Sequence, residues 1–192
     1  MIILIGFPKS GTTSFHVLFK QLDYRSIHWS CKEGIIGSIV KNNKLRGAPL
    51  LQGLEGYDCI TELSVCVSHN DCYWPQLVDY KQLYRENRGA VFILTKRDPA
   101  KLLASFKRWN RYDQRMYTFN PELVQDKTDA GFVRFVEKHY ADVEAFFGAK
   151  VGARFIAYDI ERDTIDKLKP HIDTKGVAVF PTENVNPKGL AP

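Results

Sequence analysis

Lys9 stands in the loop Gly6-Phe7-Pro8-Lys9-Ser10-Gly11-Thr12-Thr13-Ser14, between a short apolar run and a helical pattern. The run is Ile2 to Ile5, and Phe15, Leu18, Phe19 and Leu22 then recur at i, i+3, i+4 and i+7, the period of a helix with one buried face. Strand, glycine-bounded turn and helix N-terminus together make an anion cradle. The first N–H groups of a helix lack intrahelical partners, and the helix dipole adds positive potential there. A second cation stands at Arg97, where Val91-Phe92-Ile93-Leu94-Thr95 runs into Lys96-Arg97-Asp98-Pro99 and then a helix containing Ser105. An arginine at the carboxyl end of a parallel strand faces the crevice where such folds bind ligands. Pro99 suits the first helical position and Asp98 its cap. Arg97 and Ser105 lie about two helical turns apart, so both can address one anion if the chain doubles back at Pro99. Lys101, Lys107, Arg108, Arg111 and Arg115 follow, and the patch from Lys96 suits a multiply charged small anion or a polyanionic glycan.

The spelling of the first loop narrows the chemistry. A nucleotide-hydrolysing P-loop reads G-x-x-x-x-G-K-[ST]. Here Thr12 occupies the lysine slot and the lysine has moved forward to Lys9. Pro8-Lys9-Ser10-Gly11-Thr12-Thr13-Ser14 resembles the phosphosulfate-binding loop of PAPS-dependent sulfotransferases. The segment from Ile93 to Trp109 resembles that family's second motif over its whole length. The resemblance runs in order from Ile2 through Asn186. It implies a P-loop nucleotide-binding-like α/β protein, three layers α/β/α about a central parallel sheet. It also implies 3′-phosphoadenosine 5′-phosphosulfate (PAPS) as donor substrate and 3′-phosphoadenosine 5′-phosphate (PAP) as product.

On that resemblance Lys9 holds the leaving phosphate and the transferring sulfuryl group. Ser10, Gly11, Thr12, Thr13 and Ser14 bind the donor around it. Arg97 and Ser105 grip the 3′-phosphate and reject donors that lack it, such as ATP. Lys188-Gly189 matches the Lys-Gly loop with which some members close the nucleotide site. The family places a Glu or His base after the strand that follows the first βα unit, and Glu62 ends such a strand. A subgroup with a similar middle segment usually has aspartate there, so Glu62 departs conservatively. Glu62 is the expected general base, with His28 next and His69 third.

These residues need elements to position them. Strands are expected at Ile2–Phe7, Tyr57–Glu62, Ala90–Thr95 and Ala153–Tyr158. Helices are expected near Thr12–Asp23, Pro75–Asn87, Pro99–Trp109 and Ala130–Phe147. The alternation argues for a parallel sheet with helices on both faces. Residues 30–56 read as a short helix and loop, and residues 110–128 as a polar, turn-rich, mobile segment. The whole chain, 1–192, fits one domain.

Composition restricts the remaining classes. The chain has 192 residues and a net charge of +5, too modest and too local for an expected nucleic-acid binder. No stretch approaches the roughly 20 apolar residues that span a bilayer. The first strand begins at the first residue, leaving no room for a leader, so a cytoplasmic protein with no membrane partner is expected. Cys31, Cys59, Cys66 and Cys72 are then expected as reduced thiols. Cys66, His69 and Cys72 are evenly spaced but lack a paired C-x-x-C and a fourth ligand, so no metal site is expected. The acceptor, a carbohydrate or small molecule, and the oligomeric state are not legible. Two other readings stand beside the first. One is a P-loop kinase of a nucleotide or small metabolite, against which the missing Gly-Lys-Ser/Thr weighs. The other is an inactive nucleotide-binding module.

Overall fold

Runs that are apolar at every position form strands only where both of their faces are covered. In the computed structural model, which describes residues 1–68, 71–109, 111–121 and 124–183, that condition is met by helices above and below one sheet. The chain begins with β1 (Ile2–Leu4), α1 (Thr12–Gln21), β2 (Ser26–Ile27), β3 (Ser30–Cys31), β4 (Gly34–Ile35) and α2 (Ile36–Leu45). Next come β5 (Cys59–Ile60), the hairpin strands β6 (Val65–Ser68) and β7 (Asp71–Tyr73), α3 (Pro75–Val78) and α4 (Tyr80–Glu86). It continues through β8 (Val91–Lys96), α5 (Pro99–Arg108), α6 (Tyr112–Phe119), α7 (Asp129–Gly148) and β9 (Arg154–Asp159). The five-stranded sheet has the order β2-β5-β1-β8-β9 and is parallel throughout.

Alternation along the strands sorts the core into two layers. Ile3, Ile5, Phe92 and Leu94 join Val136, Val143 and Phe147 of α7 on one face. Ile2, Leu4, Val91 and Ile93 join Phe15, Leu18 and Phe19 of α1 on the other. Each such side chain contributes about 1.5–3 kcal/mol when fully buried. The result is the three-layer α/β/α architecture.

The same topology opens the cleft. From β1 the chain passes to β2 on one side of the sheet and later enters β8 on the other side of β1. The carboxyl ends of β1 and β8 therefore meet where the strand order reverses, the place where α/β sheets bind ligands. Contact there is close: a Cβ on Gly6 would lie 1.9 Å from Thr95 Oγ1, so only glycine lets the loop after β1 pass β8.

Several expectations change in the structure. The strand expected over Tyr57–Glu62 is only Cys59–Ile60, and the edge strand β2 adds to the four foreseen. The helix expected over Pro75–Asn87 breaks at Asp79 (φ −118°, ψ 14°). The Asp79 carboxylate there accepts hydrogen bonds from Lys44 Nζ at 2.6 Å and from the Tyr73 hydroxyl. Within 110–128, Tyr112–Phe119 forms α6, because Tyr112, Met116 and Tyr117 bury one face of an otherwise polar segment.

The thiol expectation also needs correction. Cys66 and Cys72 sit directly opposite one another across the β6–β7 pair and are joined as a disulfide. They are therefore neither reduced thiols nor metal ligands, and His69 lies outside the described residues. Disulfides persist in oxidising compartments, so cysteine chemistry lends no support to a cytoplasmic location. No helix among the described residues is long and apolar enough to cross a membrane.

Two predictions follow from this architecture. A thiol reagent added to the unfolded, unreduced protein should count only Cys31 and Cys59, and all four cysteines after reduction; four before reduction would disprove the cross-link. The second concerns His139, buried on α7 against Phe7 at 5.1 Å between ring centroids, with burial holding its pKa down to about 4. The unfolded imidazole titrates near 6.5, so its stabilising effect is complete above that pH and is lost as pH falls toward about 4. His139 should make stability measured by urea fall over that window by no more than about 1.4 kcal/mol per pH unit for its one proton, beside a similar contribution from His28. His139→Gln should reduce the slope; an unchanged slope would refute the assignment.

Candidate active site

Four hydrogen bonds hold the strained loop after β1 in shape. Lys9 adopts a left-handed conformation (φ 66°), a geometry that costs an L-residue about 1–2 kcal/mol. Arg97 Nη1 donates to the Lys9 carbonyl at 2.9 Å. Ser10 N donates to the Phe7 carbonyl at 3.3 Å, and the Ser10 hydroxyl also donates there while sharing a short hydrogen bond with Thr95 Oγ1. Ser10 is thus wholly buried and braces the loop, and it is not among the residues that line the cleft. Gly11 (φ 91°) stands at the N-cap of α1, where no side chain caps the helix.

Two cations flank the cleft of about 990 Å³ that this loop lines. The Lys9 ammonium sits over the Trp109 ring, 4.8 Å from its centroid. Burial and then the Arg97 charge pull the Lys9 pKa below its ordinary value, opposed by Glu62. Arg97 donates its backbone N–H to the Tyr140 hydroxyl at 3.2 Å, and its buried Nε has no hydrogen-bond partner among the described residues. A buried guanidinium N–H without an acceptor is costly and fits a site completed by an anion. Ser105, buried on α5, lines the same cleft as Arg97, Thr12, Thr13 and Ser14.

The two proton-accepting candidates are held differently. Glu62 is 6% exposed, and burial raises its pKa. Its carboxylate accepts from Gln76 Nε2 at 2.9 Å, Ser64 N at 3.2 Å and Thr12 Oγ1 at 3.3 Å. His28 stands beyond the end of β2, with Nδ1 3.1 Å from Thr61 Oγ1 and Nε2 3.3 Å from Thr13 Oγ1. Burial first, then His16 and Lys9, press its pKa down to about 4.

The structure therefore brings Lys9, Gly11, Thr12, Thr13, Ser14, His28, Glu62, Arg97 and Ser105 to one cleft. Lys188, Gly189 and His69 lie outside the described residues. Sequence reasoning missed the cleft tryptophans: Trp29 and Trp109 are 42% and 45% exposed, whereas Trp74 is fully buried. No periodicity marks them, because each stands just outside a regular element. It also missed the segment 180–183, where Phe180 packs on Phe15 at 4.8 Å and Glu183 N donates to Ser14 Oγ at 3.0 Å. Among the described residues, no group of three or more His, Cys, Asp or Glu is placed to hold a metal ion.

Comparison with known proteins matches residues 1–180 to the family described as "Sulfotransferase domain". A search of curated proteins returns no match.

Gly11→Ala tests the loop geometry. A Cβ there would lie 2.8 Å from Ile160 Cγ2 and meet a left-handed backbone. The variant should lose about 1–2 kcal/mol or more by urea unfolding, and bind pyrophosphate at least about tenfold more weakly. Gly56→Ala, where nothing lies within 4 Å of the added carbon, should change stability by under about 0.5 kcal/mol. Equal effects would refute the restraint at Gly11.

Proposed function

The chain belongs to the sulfotransferase domain family, and we propose that it moves a sulfuryl group from PAPS to a hydroxyl or amine acceptor by in-line transfer. The observation that carries this reading is Arg97. One nitrogen of its guanidinium braces the Lys9 loop, and among the described residues its buried Nε has no acceptor beside a second cation. Two anion-binding points on one cleft suit a donor with phosphate at both ends of its nucleoside.

When bound, PAPS supplies a sulfuryl group already activated on phosphate. Lys9 and the first turn of α1 face the oxygen on which charge grows as that group departs, and fixed donors there act without reorganising. Arg97 and Ser105 hold the 3′-phosphate. Thr12 and Thr13 line the loop beside Lys9, and Ser14 ties it to the segment 180–183. The acceptor needs a group to take its proton, and Glu62 and His28 are the titratable side chains of the cleft fitted for it. Glu62 is the one that position in the motif favours. The acceptor is a carbohydrate or a small molecule, and PAPS, PAP and that acceptor are the partners.

Calorimetric titration with PAP, ADP and Mg-ATP tests the reading. PAP should bind at least about tenfold tighter than either, and Arg97→Ala, which removes the brace on the Lys9 loop for both ligands, should cost PAP roughly 10- to 100-fold more than it costs ADP, the worth of one further charged hydrogen bond. Equal losses for PAP and ADP would remove the 3′-phosphate role. Tighter binding of Mg-ATP would overturn the reading in favour of a kinase.

A further inference from the structure

Among the described residues the Lys9 ammonium donates no hydrogen bond and joins no ion pair; its contact is the face of Trp109, 4.8 Å from the ring centroid. Carboxylates of the same cleft are engaged elsewhere. Glu62 accepts from Gln76 Nε2, Ser64 N and Thr12 Oγ1, and Glu161 pairs with Lys101 at 2.9 Å. An aromatic face is a different kind of partner from a carboxylate. It attracts the cation through the ring quadrupole, leaves the charge uncancelled and does not use up the N–H donors that an anion needs.

Trp109 is itself firmly held. Its backbone N–H donates to the carbonyls of Ser105 and Phe106 at 3.0 and 3.1 Å, which fixes it at the C-cap of α5. Its ring lies against Tyr112, with centroids 4.7 Å apart. Tyr112 is buried, accepts from Trp74 Nε1 at 2.5 Å and meets Phe106 edge-on at 5.0 Å. A buried aromatic cluster thus backs an indole that is 45% exposed and lines the cleft. A lysine stem has many rotamers, so an unheld ammonium must be ordered at the moment of reaction. We propose that Trp109 is a positioning residue for Lys9. Its face holds the ammonium extended and charged, with N–H groups uncommitted, toward the oxygen on which charge grows as the sulfuryl group departs. This inference rests on the sulfotransferase reading above.

The charged and titratable groups around the ammonium are Arg97 of the loop after β8, Glu62 beyond β5 and His28 beyond β2. Burial and Arg97 disfavour the charge on Lys9, and Glu62 favours it. The Trp109 face acts on the same side as Glu62. Drawing electron density out of that ring while keeping its size therefore lowers the Lys9 titration midpoint. A Trp109 that merely packed against Tyr112 would leave the midpoint where it stood.

Lysine NMR on the ligand-free protein reads the contact. The Lys9 ε-methylene protons should lie upfield of those of the other lysines, under the indole ring current, and should move back in Trp109→Leu. Tryptophans bearing one to four fluorines, installed at position 109 alone, should lower the Lys9 midpoint stepwise, by about half a pH unit at four. An unshifted resonance, or a midpoint indifferent to fluorine, would overturn the proposal. Sulfate release from PAPS, with water as acceptor, should fall about 5- to 30-fold in Trp109→Leu, the range of a half-buried cation–π contact. The loss should appear in kcat, with KM for PAPS kept within about threefold, and Trp109→Phe should recover part of it. Equal losses in the two variants, or a loss carried by KM, would also count against Trp109. Failure of the unaltered protein to bind PAP sinks the sulfotransferase reading, whereas the resonance and midpoint of the free protein still decide whether Trp109 holds Lys9.

Discussion

The hydrogen bond from Arg97 Nη1 to the Lys9 carbonyl is the contact on which the site depends. It joins the loop after β1 to the loop after β8, and it spans the reversal in strand order that opens the cleft. Lys9 holds a left-handed backbone that its own side chain disfavours, so the loop needs an external partner to keep that shape. Arg97 provides it with one nitrogen, and its buried Nε has no hydrogen-bond partner among the described residues. The guanidinium is therefore a structural brace at the wall of the cleft.

Packing makes that arrangement rigid. Phe7, at the root of the loop, is wedged edge-on against Phe135, His139 and Tyr140 of α7, with centroids 5.7, 5.1 and 5.8 Å away. Tyr140 then reaches the backbone of Arg97. One helix thus anchors both loops. On the other face Phe15 of α1 packs on Tyr158 of β9 and on Phe180 at 5.1 and 4.8 Å, which lays the segment 180–183 along the helix's first turn.

Burial gives the cleft a consistent electrostatic character. It lowers the pKa of Lys9 and His28 and raises that of Glu62, each toward neutrality. Burial removes part of the water that would solvate these groups, and an anion bringing hydrogen-bond acceptors restores part of that loss to Lys9. Two hydroxyls hold the His28 ring, Thr61 Oγ1 at Nδ1 and Thr13 Oγ1 at Nε2, and the Thr61 hydrogen is committed to the Ile27 carbonyl.

The order Gly6, Lys9, Gly11, Thr12, Thr13 and the run into Arg97 with Ser105 following were readable because each depends on local chemistry. Glycine permits a turn, an apolar run stops, and a helix period begins. The parallel sheet was readable from apolar runs alternating with helical periods. Four properties were decided only by tertiary contact. Ser10 turns inward because Thr95 waits across the sheet, and Trp29 and Trp109 face the cleft although no periodicity marks either. Cys66 meets Cys72 because a hairpin register sets them opposite. Glu62 and His28 share the cleft because Gln76, Ser64 and Thr12 hold one, and Thr13 and Thr61 the other. A sequence records which groups a residue carries; which hydrogen bonds remain to be made depends on neighbours that folding brings from far along the chain.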